Sequence, residues 1–188
     1  VEGIKIKESN KLGKEELTKL VAKYYFKLLA YKDEYEVARL HLDTRKKAQQ
    51  VFHGVDKISY HLAPPILSKI GPDGRPIKRV FGSSMERFFP ILAKLKFLRG
   101  TPLDIFGFSA ERKMERDLIR QYERDLSQIL PQLSEETRDI IIALAELPLT
   151  IRGFGPVKLL NEQQAAKKRM DLLNSLKYPN ENLNHAAE

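Results

Sequence analysis

Six apolar residues, Leu17, Leu20, Val21, Tyr24, Leu28 and Tyr31, recur at three- and four-residue intervals through LGKEELTKLVAKYYFKLLAYK, with Lys14, Lys19, Lys23 and Lys27 largely opposite. A stripe of that period predicts an amphipathic helix, and such a helix needs a second apolar surface to cover it. The period returns in SSMERFFPILAKLKFLRG, where Met85, Phe88, Phe89, Leu92 and Leu95 precede Gly100. It returns again from Ser109 to about Leu130, on Met114, Leu118, Tyr122, Leu126 and Ile129, and from Val157 to about Leu176, on Leu160, Met170, Leu173 and Leu176. The expected fold is therefore mainly α, α+β at most: a bundle-like domain of about five to six helices.

Local signals place the ends. Asp33 with Glu36 resembles a capping box and starts a helix from Glu34 to about Phe52, although Tyr35, Val37, Leu40 and Leu42 also fit a strand. Ser109 is a candidate N-cap, Ser134 caps SEETRDIIIALAEL, and Pro90 predicts a kink or a late start in its helix. KISYHLAPPIL and RPIKRVF are short extended runs around the turn signal GPDGRP, predicting a β-hairpin near residues 57–81, with strands at 57–62 and 76–81. Residues 1–12 read as an N-terminal extension, 13–177 as a single domain and 178–188 as a flexible tail.

Composition narrows the chemistry. At 188 residues the chain is long enough to bury roughly two-thirds of its unfolded surface. No apolar run approaches the length of about eighteen residues that a membrane span needs, and VEGIKIKESNKLGKEE has no signal-peptide core, so a cytoplasmic location is expected. The absence of cysteine excludes disulfides, thiolate nucleophiles, Cys-bound zinc and iron–sulfur clusters from this stretch. Residues 1–100 carry 21 Lys and Arg against 11 Asp and Glu, whereas residues 101–188 carry 12 against 14. A basic half of this kind suits an acidic protein surface, a phosphorylated ligand or nucleic acid, but the lysines are scattered rather than clustered with aromatics, which favours a solvated surface.

No phosphate-binding glycine loop, dinucleotide fingerprint, HExxH or GxSxG occurs. The four histidines are dispersed, and no metal site is expected. His61, in YHLAPP, is placed to meet a ligand or to bond backbone at a proline corner. Two Arg-Gly loops are the stronger candidates: Arg99 with Gly100, and Arg152 with Gly153 and Gly155. An arginine fork beside free backbone N–H groups can hold an anion. Alternatively each glycine ends a helix in the left-handed region, and each arginine pairs with a carboxylate such as Asp104 or Glu115. Arg112, Arg116, Arg120 and Arg124 form a stripe, but the interleaved Glu111, Glu115, Asp117, Glu123 and Asp125 predict an ion-paired surface, with Asp117 and Arg120 as one pair.

Four phrases, YFKLLAYKDEYEVARL (25–40), YHLAPP (60–65), LAKLKFLRGTPLDIFGFSAERKMER (92–116) and LPLTIRGFGPVK (147–158), resemble the C-terminal domain of the indolepyruvate ferredoxin oxidoreductases, long fused 2-oxoacid oxidoreductase chains. The resemblance is most concentrated at Arg99, Gly100, Asp104 and Gly107. It implies a parent enzyme that uses thiamine diphosphate with magnesium to decarboxylate a 2-oxoacid, passes the acyl group to coenzyme A and sends electrons through iron–sulfur clusters to ferredoxin. It implies that this domain holds no catalytic residue, metal or cofactor, is inactive alone, and packs on the parent's other domains, shaping access for coenzyme A or ferredoxin. An independent anion- or nucleic-acid-binding helical module is the alternative expectation.

Overall fold

The computed structural model describes residues 1–55, 57–64, 68–72 and 74–177. Among these, eight α-helices and one two-stranded antiparallel sheet form a mainly helical fold. The helices are α1 (Glu2–Leu12), α2 (Glu16–Leu29), α3 (Glu34–His41), α4 (Thr44–Val51), α5 (Met85–Lys94), α6 (Ala110–Ile129), α7 (Arg138–Glu146) and α8 (Pro156–Lys177). The strands are β1 (Tyr60–Leu62) and β2 (Arg79–Phe81). The chain divides into two compact units, one of residues 1–30 and 115–188 and the other of residues 31–114, with the boundary falling inside α6. The tail expected at 178–188 lies outside the described residues.

The first unit is built on the stripe that dominates the sequence. Leu17, Val21 and Tyr24 of α2 are buried, and the helix packs on α1 and α7. Tyr122, Leu126 and Ile129 of α6, Ile141, Leu144 and Ala145 of α7, and Leu176 of α8 complete the core with Ile4 of α1. The Tyr122 hydroxyl reaches the Ala145 carbonyl at 2.9 Å, which satisfies the one polar atom this ring brings inside. Burial pushes its pKa up.

The first dozen residues, expected as an extension, form α1 and belong to this core. Glu8 is 1% exposed and accepts from Leu17 N–H at 2.8 Å, Thr18 N–H at 2.9 Å and the Thr18 hydroxyl at 2.7 Å. A carboxylate from one helix thereby caps the positive end of the next, satisfying donors that α2 leaves open. In α8 the expected stripe is only partly right. Leu176 is buried and Leu173 half-buried, but Leu160 and Met170 are exposed, and Ala165 takes the buried position instead.

The second unit has a smaller core. Ala38 of α3, Tyr60 of β1 and Phe89 of α5 are buried, with Ile58, Leu62, Phe81, Met85, Leu92 and Ala93 packed around them. The His41 ring stacks on Phe89 at 5.1 Å and meets Tyr60 edge-on at 5.3 Å, and burial pushes its pKa down. The helix expected from Glu34 to Phe52 breaks into α3 and α4. Tyr35 and Ala38 bury α3, which packs on α5, whereas α4 buries no residue, so no packing surface obliges the chain to continue on one axis. The hairpin forms in register Tyr60–Phe81, His61–Val80, Leu62–Arg79, shorter than the runs suggested, with a further bridge at Ile70–Pro76. Pro90 lies within α5 rather than at its start, and the last turn tightens into a 3₁₀ segment, Leu95–Leu98.

Candidate functional site

The Arg-Gly loop of the second unit, residues 99–109, is organised around one buried carboxylate. Asp104 is 3% exposed. Its Oδ2 accepts from Gly100 N–H at 2.9 Å, and its Oδ1 accepts from Gly107 N–H at 3.0 Å and from the Tyr35 hydroxyl at 3.1 Å. Burial alone would raise this carboxyl, but the Gly100 N–H, the Tyr35 hydroxyl and the N–H groups of Gly107 and Phe106 outweigh it, and the pKa lies below the ordinary aspartate value. Tyr35 responds oppositely: burial, the bond to Asp104 and neighbouring negative charge push it up to about 12. Asp104 is thus a fixed anion and Tyr35 a fixed donor, with neither poised to exchange protons near neutrality.

Arg99 is held as firmly. Its Nε and a terminal nitrogen donate to Asp33 at 2.6 and 2.9 Å, a two-pronged pair, while Asp33 also accepts from Glu36 N–H at 2.8 Å. One aspartate caps α3 and anchors the loop 66 residues away. Of the carboxylates suggested for the loop arginines, Asp104 is occupied by Gly100 N–H, Gly107 N–H and the Tyr35 hydroxyl, and Asp33 takes the Arg99 guanidinium. Gly100 has φ +77°, the left-handed turn that ends the preceding 3₁₀ segment. Around this polar knot, large apolar side chains point outward: Phe97 is 71% exposed, Leu103 69%, Ile105 62% and Phe108 60%.

The second Arg-Gly loop lies in the first unit and differs in one respect. Gly153 and Gly155 are left-handed, at φ +90° and +54°. Arg152 is exposed, and among the described residues its side chain bonds through Nε, which donates to the Leu149 carbonyl at 2.8 Å. Glu115, the other carboxylate suggested for these arginines, is bound by Lys158. His61 is exposed on β1 opposite Val80 and makes no side-chain hydrogen bond among the described residues. On α6, Asp117 and Arg120 pair as expected, and Arg112 reaches Glu34 at 3.5 Å with its guanidinium 5.8 Å from the Tyr31 ring. Arg112 is therefore a structural cation of the second unit.

The site residues that the sequence pattern missed are Asp33 in its second role, Tyr35 and Lys27. The Lys27 ammonium donates to the carbonyls of Pro148 and Ile151, and burial followed by the charges of Arg152 and Lys158 pushes its pKa down. In the same unit a small cleft of about 40 Å³ lies beside the Asp125–Arg169 pair and Tyr122, too small for more than a few waters. Among the described residues, no three His, Asp or Glu side chains group as metal ligands, and no helix is long and apolar enough to cross a membrane.

Fold and site together define, among the described residues, a mainly helical protein with one short hairpin and two hydrogen-bonded Arg-Gly loops. A family model described as a family of unknown function, DUF6537, matches residues 1–171, and the chain belongs to that family. No curated protein and no solved structure matches it.

Proposed function

We propose that this chain is a non-catalytic accessory domain of a thiamine diphosphate-dependent 2-oxoacid ferredoxin oxidoreductase, docking on the parent's catalytic regions. The observation that carries this is the loop of residues 99–109. Its polar groups, Arg99, Asp104 and the N–H groups of Gly100 and Gly107, are engaged inside the domain, while Phe97, Leu103, Ile105 and Phe108 face outward. A loop held this rigidly around an inward carboxylate suits presentation of an apolar rim rather than turnover. The phrases resembling the indolepyruvate enzymes are densest in this same segment. The basic first hundred residues suit an acidic partner such as ferredoxin, because complementary charge speeds encounter.

Co-expression with the thiamine-binding and cluster-bearing regions of such an oxidoreductase tests the reading. The chain should co-purify with them, and Phe97→Ser combined with Ile105→Ser should weaken association about tenfold or more, as loss of central apolar anchors does. Failure of the unaltered chain to co-purify overturns it. The terminal nitrogens of Arg152, without an acceptor among the described residues, favour a second reading, an anion-binding module.

A further inference from the structure

The loop joining α7 to α8 is fixed from several directions. The Asn161 amide donates to the Arg152 carbonyl at 2.9 Å, and Arg152 Nε donates to Leu149 at 2.8 Å. At Gly153 a Cβ would come within 2.9 Å of Val157 Cγ1, so the backbone lies tight against the first turn of α8 and only glycine fits there. From α2, the Lys27 ammonium donates to the carbonyls of Pro148 and Ile151, the latter at 3.3 Å.

Three cations, Lys27, Arg152 and Lys158, therefore gather at one ordered loop, and Glu115 offsets one of them through Lys158. Among the described residues neither Lys27 nor Arg152 has a carboxylate partner. Holding like charges together costs free energy, and Lys27 registers that cost: burial first, then its two basic neighbours, make its charged form harder to keep. Arg152 is anchored through Nε while both terminal nitrogens lack an acceptor among the described residues, which leaves its fork positioned and open. Two uncompensated positive charges match a dianion better than a carboxylate, and a phosphate monoester carries nearly two negative charges at neutral pH.

We propose that the Ile151–Gly155 loop binds the phosphate group of a small phosphorylated ligand, with the terminal nitrogens of Arg152 as its donors and Lys27 as the second positive charge. The site stands independently of docking on an oxidoreductase. Titration calorimetry of the whole chain with inorganic phosphate at pH 8 and low salt tests it. Saturable one-to-one binding with a Kd on the order of 1 mM is expected. Arg152→Gln should weaken it about tenfold, Arg152→Lys less because the charge stays and the fork is lost, and Arg124→Gln, at an exposed position of α6, not at all. Absence of saturable binding overturns the proposal, as does equal loss with Arg124→Gln or equal binding of acetate. Circular dichroism of each variant, unchanged because Arg152 is exposed, separates lost binding from lost folding.

Discussion

The two units of this chain are held together by different physics. In the unit of residues 1–30 and 115–188, α1, α2, α6, α7 and α8 all contribute to one apolar cluster. In the unit of residues 31–114 the buried cluster among the described residues is Ala38, Tyr60 and Phe89, and charged groups do more of the positioning: Asp33 with Arg99, Asp104 with Tyr35 and two backbone N–H groups, and Glu86 with Arg45 and Tyr60. Apolar burial is non-directional and indifferent to pH, whereas hydrogen-bonded carboxylates fix geometry and titrate. A unit that must hold an irregular loop in one conformation gains more from the second, because a loop offers few side chains for a core but many backbone donors to anchor.

The largest expected effect lies on the apolar side. Ile141 is 0% exposed, and Ile141→Ala should destabilise the chain by about 4 kcal/mol in a denaturant titration, through lost burial and the cavity left behind. A cost under about 1 kcal/mol would mean the cluster is looser than its burial indicates. On the polar side, Asp104→Ala should cost about 3 kcal/mol, because the Gly100 and Gly107 N–H groups and the Tyr35 hydroxyl lose their acceptor together. Hydrogen exchange should then accelerate at residues 99–107 more than in α7. Equal acceleration in both would break the contrast between the units.

Acid should act on the same polar side. The folded pKa values of Asp104 and Glu86 lie below their ordinary values of 3.8 and 4.5, so the stability they contribute is fully present above those values and is lost as pH falls through the depressed folded ones. For Glu86 the cause is chiefly its bond from Arg45. Amide resonances of residues 33–45 and 99–107 should therefore broaden or shift first as pH drops below about 4. Smaller again, Glu8→Gln should cost about 1 to 2 kcal/mol in thermal unfolding, since one of its acceptor oxygens becomes an amide facing donors. Smallest, Asp117→Ala should change stability by less than about 0.5 kcal/mol, because its pair with Arg120 is exposed to solvent on both sides.

Features that depend on neighbours in the chain were legible. The α2 stripe, the Asp33 cap on Glu36 N–H, the Ser109 start of α6 and the Asp117–Arg120 pair all follow from spacings of three or four residues. The stretch of α8 around Leu160 and Met170 misled because a helical period says which residues share a face, not whether another element covers that face. The N-terminal dozen misled for a related reason: EGIKIKESNKL has little amphipathic pattern of its own, and α1 is secured by Ile4 in a core and Glu8 on the end of α2.

The sequence by itself determined a mainly helical chain, the hairpin between its helices, and two Arg-Gly loops as the places to look. Its local words describe Arg99 and Arg152 alike, each beside a glycine in the left-handed region. Only the tertiary structure separated them. Asp33 is brought from 66 residues away to occupy the fork of Arg99, whereas Lys27 reaches the loop of Arg152 from 124 residues away and adds positive charge rather than cancelling it. Whether an arginine is a brace or an open binding group depends on the charge that the fold places beside it, and that charge comes from parts of the chain its own neighbours cannot reveal.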